Sequence, residues 1–337
     1  MSGPGSRTST PGMRGSEDLP TGAANLGSHL RSRLGSRGWL DLALPVVFLV
    51  LLVFAAVSSD TFLTENNISN LLRQIVINGL LSLGMLVVIL SGGIDLSVGA
   101  VVALSAILVG VLMESVPMPV AILLAISAAA VVGLVNGGII ARFKIAPFIM
   151  TLGTLSAVRG LVYVISETPV VYDDPAFLSI GSAEIGPVPV ITLLMIAAFV
   201  LMSFFLNRTT PGRAIVAIGG NEEAVRLAGI NVRLNTTLAY VICSTLAGIA
   251  GVVLASRVGI SQPSVAAGYE LDAIAACVIG GAILGGGGGS VRGTFAGVLV
   301  LGLISNLLNM YNVQAYYQQI FKGVLIVLAV LARRKER

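Results

Sequence analysis

The chain has 337 residues, 55% of them hydrophobic and only 11% charged, with a mean hydropathy of +0.95 and a formal charge of +4. Soluble domains run nearer roughly 45–50% apolar and 25% charged, so the composition specifies a polytopic membrane protein rather than two soluble domains. A single histidine (His29) and two cysteines inside apolar runs (Cys243, Cys277) leave no means for Ser-His-Asp or Cys-His catalysis, a multi-histidine metal site or a disulfide framework. No catalytic residue and no metal ligand is expected.

Residues 1–41 are rich in Gly, Ser, Thr, Pro and Arg without apolar period and read as a disordered basic tail. Ten apolar runs follow, at Leu42–Val57, Leu71–Leu90, Leu96–Met113, Met118–Ala141, Pro147–Ile165, Val190–Leu206, Thr236–Leu254, Leu271–Leu284, Gly293–Leu308 and Gln319–Leu331. With about 17–25 residues per crossing, they predict an all-α membrane domain over 42–332 with about ten transmembrane helices, then a short tail at 333–337. A cytoplasmic N-terminus with strict alternation puts sixteen of the twenty Lys and Arg inside, and both termini in the cytoplasm. The four left outside are Arg73, Arg159, Arg257 and Lys322. One outside loop, Ser166–Pro189, is long and proline-rich, and reads either as a surface for an external partner or as a solvated connector.

Ser91–Leu104 joins two spans through Gly92-Gly93. Asp95 stands just before the next helix, as its cap or as a functional ionisable group within the membrane. The run Gly285–Gly289 lacks the Lys-Ser/Thr ending of a phosphate loop and follows a membrane span, so it reads as a tight turn. No Walker A sequence occurs, which leaves any ATP hydrolysis to another polypeptide. Neutral polar side chains within or beside the spans suit an uncharged polyhydroxylated solute. Gln74, Asn78, Asp95, Asn136, Thr151, Asn306 and Asn309 are the candidates to line its path, against the alternative of helix-to-helix hydrogen bonding.

The polar interruption at 207–234 holds one short, punctuated helix. Gly219-Gly220 break the chain before it, Asn221 caps it, and Glu222 and Glu223 occupy its first turn. Glu222 and Arg226 form an i,i+4 pair, and Gly229 stops the helix. Ala224, Leu227 and Ala228 share a small apolar face. A helix this short needs a partner to pack on.

The sequences GGIDLSVG (Gly92–Gly99), GRAIVAIGGNEEAVRLAGI (Gly212–Ile230), GYELDAIAACVIGG (Gly268–Gly281) and YYQQIFKGVLIVLAV (Tyr316–Val330) resemble the monosaccharide ABC importer permeases, the ribose, xylose, arabinose and galactose type. The chain differs from their usual pattern at Gly288 and Val216. The resemblance implies a transport subunit, not an enzyme, in the bacterial cytoplasmic membrane and in contact with lipid. It implies a second permease subunit, with a homodimer expected, a cytoplasmic ABC ATPase with two nucleotide-binding modules, and an extracytoplasmic sugar-binding protein. This chain would bind no cofactor, since ATP and Mg belong to the ATPase, and no nucleic acid is involved. The resemblance makes 207–234 a cytoplasmic coupling loop, with Gly219, Gly220, Asn221, Glu222, Glu223, Arg226 and Gly229 serving contact with the ATPase. Permeases for branched-chain amino acids or nucleosides, and ion-gradient-driven secondary transporters, are the competing readings.

Overall fold

The computed structural model describes Gly3 and residues 37–334. The rest of the tails expected at 1–41 and 333–337 lies outside the described residues, and helix already occupies 37–41 and 333–334. Two units are distinguished, Met1–Leu42 and Ala43–Arg337, and the core and site described below belong to the second.

The order is α1 (Arg37–Ser58), α2 (Glu65–Leu90), α3 (Val98–Met113), α4 (Met118–Phe143), α5 (Pro147–Ile165), β1 (Val170–Val171), α6 (Pro175–Ser182), β2 (Glu184–Ile185) and β3 (Val188–Pro189). It continues with α7 (Val190–Arg208), α8 (Thr210–Gly220), α9 (Glu222–Leu227), α10 (Val232–Val258), β4 (Ile260–Ser261), α11 (Tyr269–Ile279), α12 (Val291–Met310) and α13 (Ala315–Arg334). Each expected apolar run overlaps a helix. Among the described residues, six helices (α2, α4, α5, α7, α10 and α12) are long and apolar enough to cross a membrane.

Two helices are shorter than their apolar runs. α3 has 16 residues and α11 only 11, against the roughly 20 that a crossing needs. The expected spans Leu96–Met113 and Leu271–Leu284 therefore each contain non-helical backbone, at 91–97 and 280–290. Glycine permits it: Gly92, Gly281, Gly286, Gly287 and Gly289 all have positive φ. The core encloses these segments only in part: Gly93, Asp95, Ser97 and Ala282 are buried, while Gly92, Gly285, Gly287, Gly289 and Ser290 are exposed.

That core is built on α2 and α10. From Ile75 to Leu90, α2 is almost wholly buried, and Tyr240, Cys243 and Ala247 of α10 pack in the same cluster. Small residues set the spacing. Ala121, Ala125, Ala129, Gly133 and Gly137 recur every fourth residue on α4 and are all buried, while Leu123 on the opposite face is 65% exposed. A methyl at Gly137 would sit 2.7 Å from the Thr237 Cα, and one at Gly84 2.9 Å from the Cys243 Cα, so the helix backbones approach closely.

The segment Ser166–Pro189 is ordered, not a loose connector. β1 pairs antiparallel with β4, β2 and β3 form a tight hairpin, and Asp174 caps α6 through the amides of Ala176 and Phe177. Phe177 is fully buried, and the Tyr172 hydroxyl donates to the Ala106 carbonyl of α3 at 2.5 Å.

Candidate functional site

The surface segment contains two helices where one was expected. Thr209 caps α8 by accepting from the Gly212 amide, and α8 runs helically through Gly219-Gly220, so these glycines do not break the chain. The turn falls one residue later. Asn221 is extended (φ −160°, ψ 96°), ends α8 and begins α9, its Oδ1 accepting from the Ala224 amide at 3.0 Å. Gly229 (φ +79°) closes α9 as expected: its amide donates to the Arg226 carbonyl at 3.0 Å and that of Ile230 to Val225 at 3.3 Å. Arg226 pairs with Glu223, three residues back, rather than with Glu222. This hydrogen bond lowers the Glu223 carboxyl's pKa and raises that of the guanidinium. Val225 faces inward, whereas Ala224 and Ala228 are exposed and Leu227 is 80% exposed.

Gly219 serves close approach instead, whereas nothing lies within 4 Å of a methyl at Gly220. A methyl at Gly219 would collide with the Leu90 carbonyl oxygen and lie 2.6 Å from the Gly287 nitrogen. The Gly287 amide donates to that same carbonyl at 3.1 Å. A methyl at Gly286 would lie 2.7 Å from the Gly219 oxygen and 2.9 Å from the Gly92 Cα. Three glycine-bearing segments distant in sequence thus meet backbone to backbone, and connect the end of α8 to the bend before Asp95.

Asp95 is fully buried. Its Oδ1 accepts from the Ser97 amide at 2.9 Å and the Ser97 hydroxyl at 2.6 Å. It caps the turn leading into α3 rather than the helix itself, which starts at Val98 with Ser97 as its N-cap residue. Asn136 of α4 donates to the Ser97 hydroxyl at 3.1 Å and accepts from Thr154 of α5 at 2.6 Å. Thr151 donates to the Ile94 carbonyl at 3.2 Å. The bend is thereby tied to two neighbouring helices by a continuous polar chain.

The other path candidates do not join this group. Asn306 and Asn67 exchange side-chain hydrogen bonds at 3.0 and 3.3 Å, and Asn309 accepts from Gln318 at 2.8 Å. Gln74 and Asn78 lie one turn apart on α2, partly buried. Ser97, Thr154 and Gly286-Gly287 belong to the assembly but were not among the expected site residues. The Asx-turn spacing Asp95-x-Ser97 was the available signal for Ser97. Nothing in the sequence paired Gly219 with Gly287.

The four basic residues that alternation leaves outside are all held. Arg73 pairs with Glu184 at 2.7 Å, and Lys322 with Asp272 at 2.7 Å. Arg159 donates to the carbonyls of Pro263 and Val265, and Arg257 to that of Arg73.

Several long apolar helices packed around broken, glycine-jointed segments, with a capped helix presented at the surface, define a multi-pass membrane protein. Residues 67–330 match the family described as "Branched-chain amino acid transport system / permease component". The ribose import permease protein of Bacillus subtilis is 42% identical over 291 residues, spanning 85% of this chain and 90% of that protein. The Escherichia coli K12 ribose import permease is 38% identical over 312 residues, 90% and 97% of the two chains. The L-arabinose transport system permease of the same organism is 38% identical over 302 residues, 88% and 92%. No solved structure matches. The chain belongs to this permease family and is a multi-pass protein of the bacterial inner membrane.

Proposed function

We propose that this chain is the transmembrane subunit of an ATP-driven importer for a monosaccharide, with ten spans and both termini in the cytoplasm. It pairs with a second copy of itself, receives sugar from an extracytoplasmic binding protein and sits on an ABC ATPase with two nucleotide-binding modules. ATP and Mg are bound there and not by this chain.

The observation that carries the reading is the physical link from α9 to Asp95. α9 has six residues and exposes Leu227, so it needs a partner. It is capped at both ends and joined through Gly219 to the backbone of Leu90 and Gly92. Movement of a partner against Asn221–Arg226 would pass to the bend through contacts without flexible side chains, and the polar chain Asp95-Ser97-Asn136-Thr154 would carry it to α4 and α5. Glu222, Glu223 and Arg226 supply the polar contacts to the ATPase. Gln74, Asn78, Asp95, Asn136, Thr151, Asn306 and Asn309 are proposed to line or shape the route.

The nature of the cargo follows from the charges. A branched-chain amino acid is a zwitterion and needs charged partners inside the membrane. Arg73, Arg159 and Lys322 are instead committed to Glu184, to backbone carbonyls and to Asp272. Their commitment favours an uncharged solute, in keeping with the sugar-named relatives rather than with the family's description.

The test is reconstitution with the cognate ATPase and a panel of sugar-loaded binding proteins. Stimulation of ATP hydrolysis by one loaded binding protein is expected. Uptake driven by an ion gradient without the ATPase would overturn the proposal.

A further inference from the structure

The joints on either side of α9 lead to the same buried pair of side chains. On one side, the contact of Gly219 with Leu90 reaches the bend that carries Asp95. On the other, α9 ends at Leu227 and α10 begins at Val232, where the Asn231 Oδ1 accepts from the Leu234 amide at 3.0 Å. Tyr240 follows about two turns into α10, roughly 12 Å along its axis. Its hydroxyl lies against Gly93, where a methyl would collide with it, and Asp95 is near enough to act on the phenol electrostatically.

Both groups lack a partner. Tyr240 is fully buried, and its hydroxyl has no hydrogen-bond partner among the described residues. Asp95 is fully buried too, and although Ser97 occupies Oδ1, Oδ2 accepts nothing. Asn136 approaches the carboxylate, but its amide donates to Ser97 instead. A donor without an acceptor thus stands beside a carboxylate oxygen without a donor, and unmet buried groups of this kind are rare. The Ser244 hydroxyl, one turn further along α10, is likewise unpartnered. The adjoining seam is smooth: Gly137 faces the Thr237 backbone, and Gly133 faces the Tyr240 carbonyl and Ser244. A small shift of α10 therefore displaces no side chain of α4 at these two positions.

We propose that Tyr240 is a positioning residue of the transport cycle, its hydroxyl donating to Asp95 Oδ2 in the nucleotide-bound state and standing free of it in the present conformation. Force on α9 reaches Tyr240 through α10 and reaches the Asp95 bend through Gly219, so it moves one against the other. The bond fastens the bend to α10 only while the ATPase is closed, and so ties the bend's conformation to the nucleotide state. The inference rests on the importer reading.

The test uses the assembled permease–ATPase complex in nanodiscs, melted both nucleotide-free and trapped with ATP and vanadate. Tyr240→Phe removes only the hydroxyl. In the nucleotide-free complex its midpoint should equal or exceed the parent's, because the hydroxyl has no bond there to lose. In the trapped complex the midpoint should fall by about 2 °C or more. Uptake with the loaded binding protein should drop at least about tenfold, as for loss of a bond to a charged group. Asp95→Asn should shrink the difference between the two states, since the charged acceptor is gone. Equal shifts in both states, no shift in the trapped state, or undiminished uptake by Tyr240→Phe would overturn the proposal. Parent uptake is measured in parallel. If the parent gives no ATPase-dependent uptake, the importer reading falls; if parent and Tyr240→Phe transport alike, only this inference does.

Discussion

The Gly287 amide donates to the Leu90 carbonyl at 3.1 Å, and Gly219 packs against the same oxygen with no room for a side chain. One loop and two helix ends therefore crowd around a single carbonyl oxygen. Gly219→Ala must push them apart, and overpacking of this kind costs about 1–3 kcal/mol. We expect a lowered melting midpoint and, in the folded fraction, ATP hydrolysis retained but poorly coupled to uptake. Gly220→Ala is the control, because nothing lies within 4 Å of a methyl there. Equal uptake by Gly219→Ala and the control would refute the transmission role.

Leu227 separates stability from assembly. At 80% exposure it makes little contact within its own chain, so Leu227→Asp should leave the unfolding free energy within about 0.5 kcal/mol of the parent. Association with the ATPase should fall by at least about tenfold, as for loss of a small apolar anchor. Co-purification of the variant with undiminished ATPase would show that this face does not dock. Reversing Glu222 and Glu223 to Arg examines the polar half of the same contact.

For Asp95, the structure distinguishes geometry from charge. Its Oδ1 accepts two hydrogen bonds from Ser97. Asparagine retains that acceptor, whereas leucine strands a buried amide and a hydroxyl, at about 1–3 kcal/mol for each unsatisfied group. Thermal denaturation in detergent should rank parent and Asp95→Asn together, with Asp95→Leu well below. Well-folded Asp95→Asn protein that no longer transports would point to a charge-dependent role.

Asp272 and Lys322 join α11 to α13 and are 12% and 25% exposed at the side chain. Removing one partner leaves the other charge poorly solvated. Lys322→Met alone should lose about 1.5–3 kcal/mol. Pairing it with Asp272→Asn should restore much of the loss, and a double-mutant cycle measures the coupling. Additive losses would mean that the pair contributes nothing specific.

Much of this was legible in the sequence, for reasons that differ by residue. The apolar runs placed the helices. Asn221 and Gly229 were readable because a cap and a positive-φ stop are local devices, set by residues within three positions of each other. The break at 280–290 and the shortness of α11 were not, since hydrophobicity continues through Ile283 and Leu284 whether or not the backbone is helical. Gly219 was misread for the same reason. Its glycine answers to Leu90 and Gly287, and a contact between segments distant in sequence leaves no local trace. Asn306 and Asn309 read as path residues because a polar side chain in a span looks alike whether it faces a solute or another helix. Here each bonds a neighbouring side chain.

The anchoring of Arg73 and Arg159 has a consequence for synthesis. The carboxylate that neutralises Arg73 comes 111 residues later, and the carbonyls that hold Arg159 come 104 and 106 residues later. At ribosomal speed those intervals last roughly 5–20 s. On the proposed topology, with both termini in the cytoplasm, the nascent chain meanwhile carries cations whose side preference opposes their final position. Orientation of the early helices must then stay provisional until Glu184 and the 263–265 segment emerge, and chains that stop before them should insert in mixed orientations.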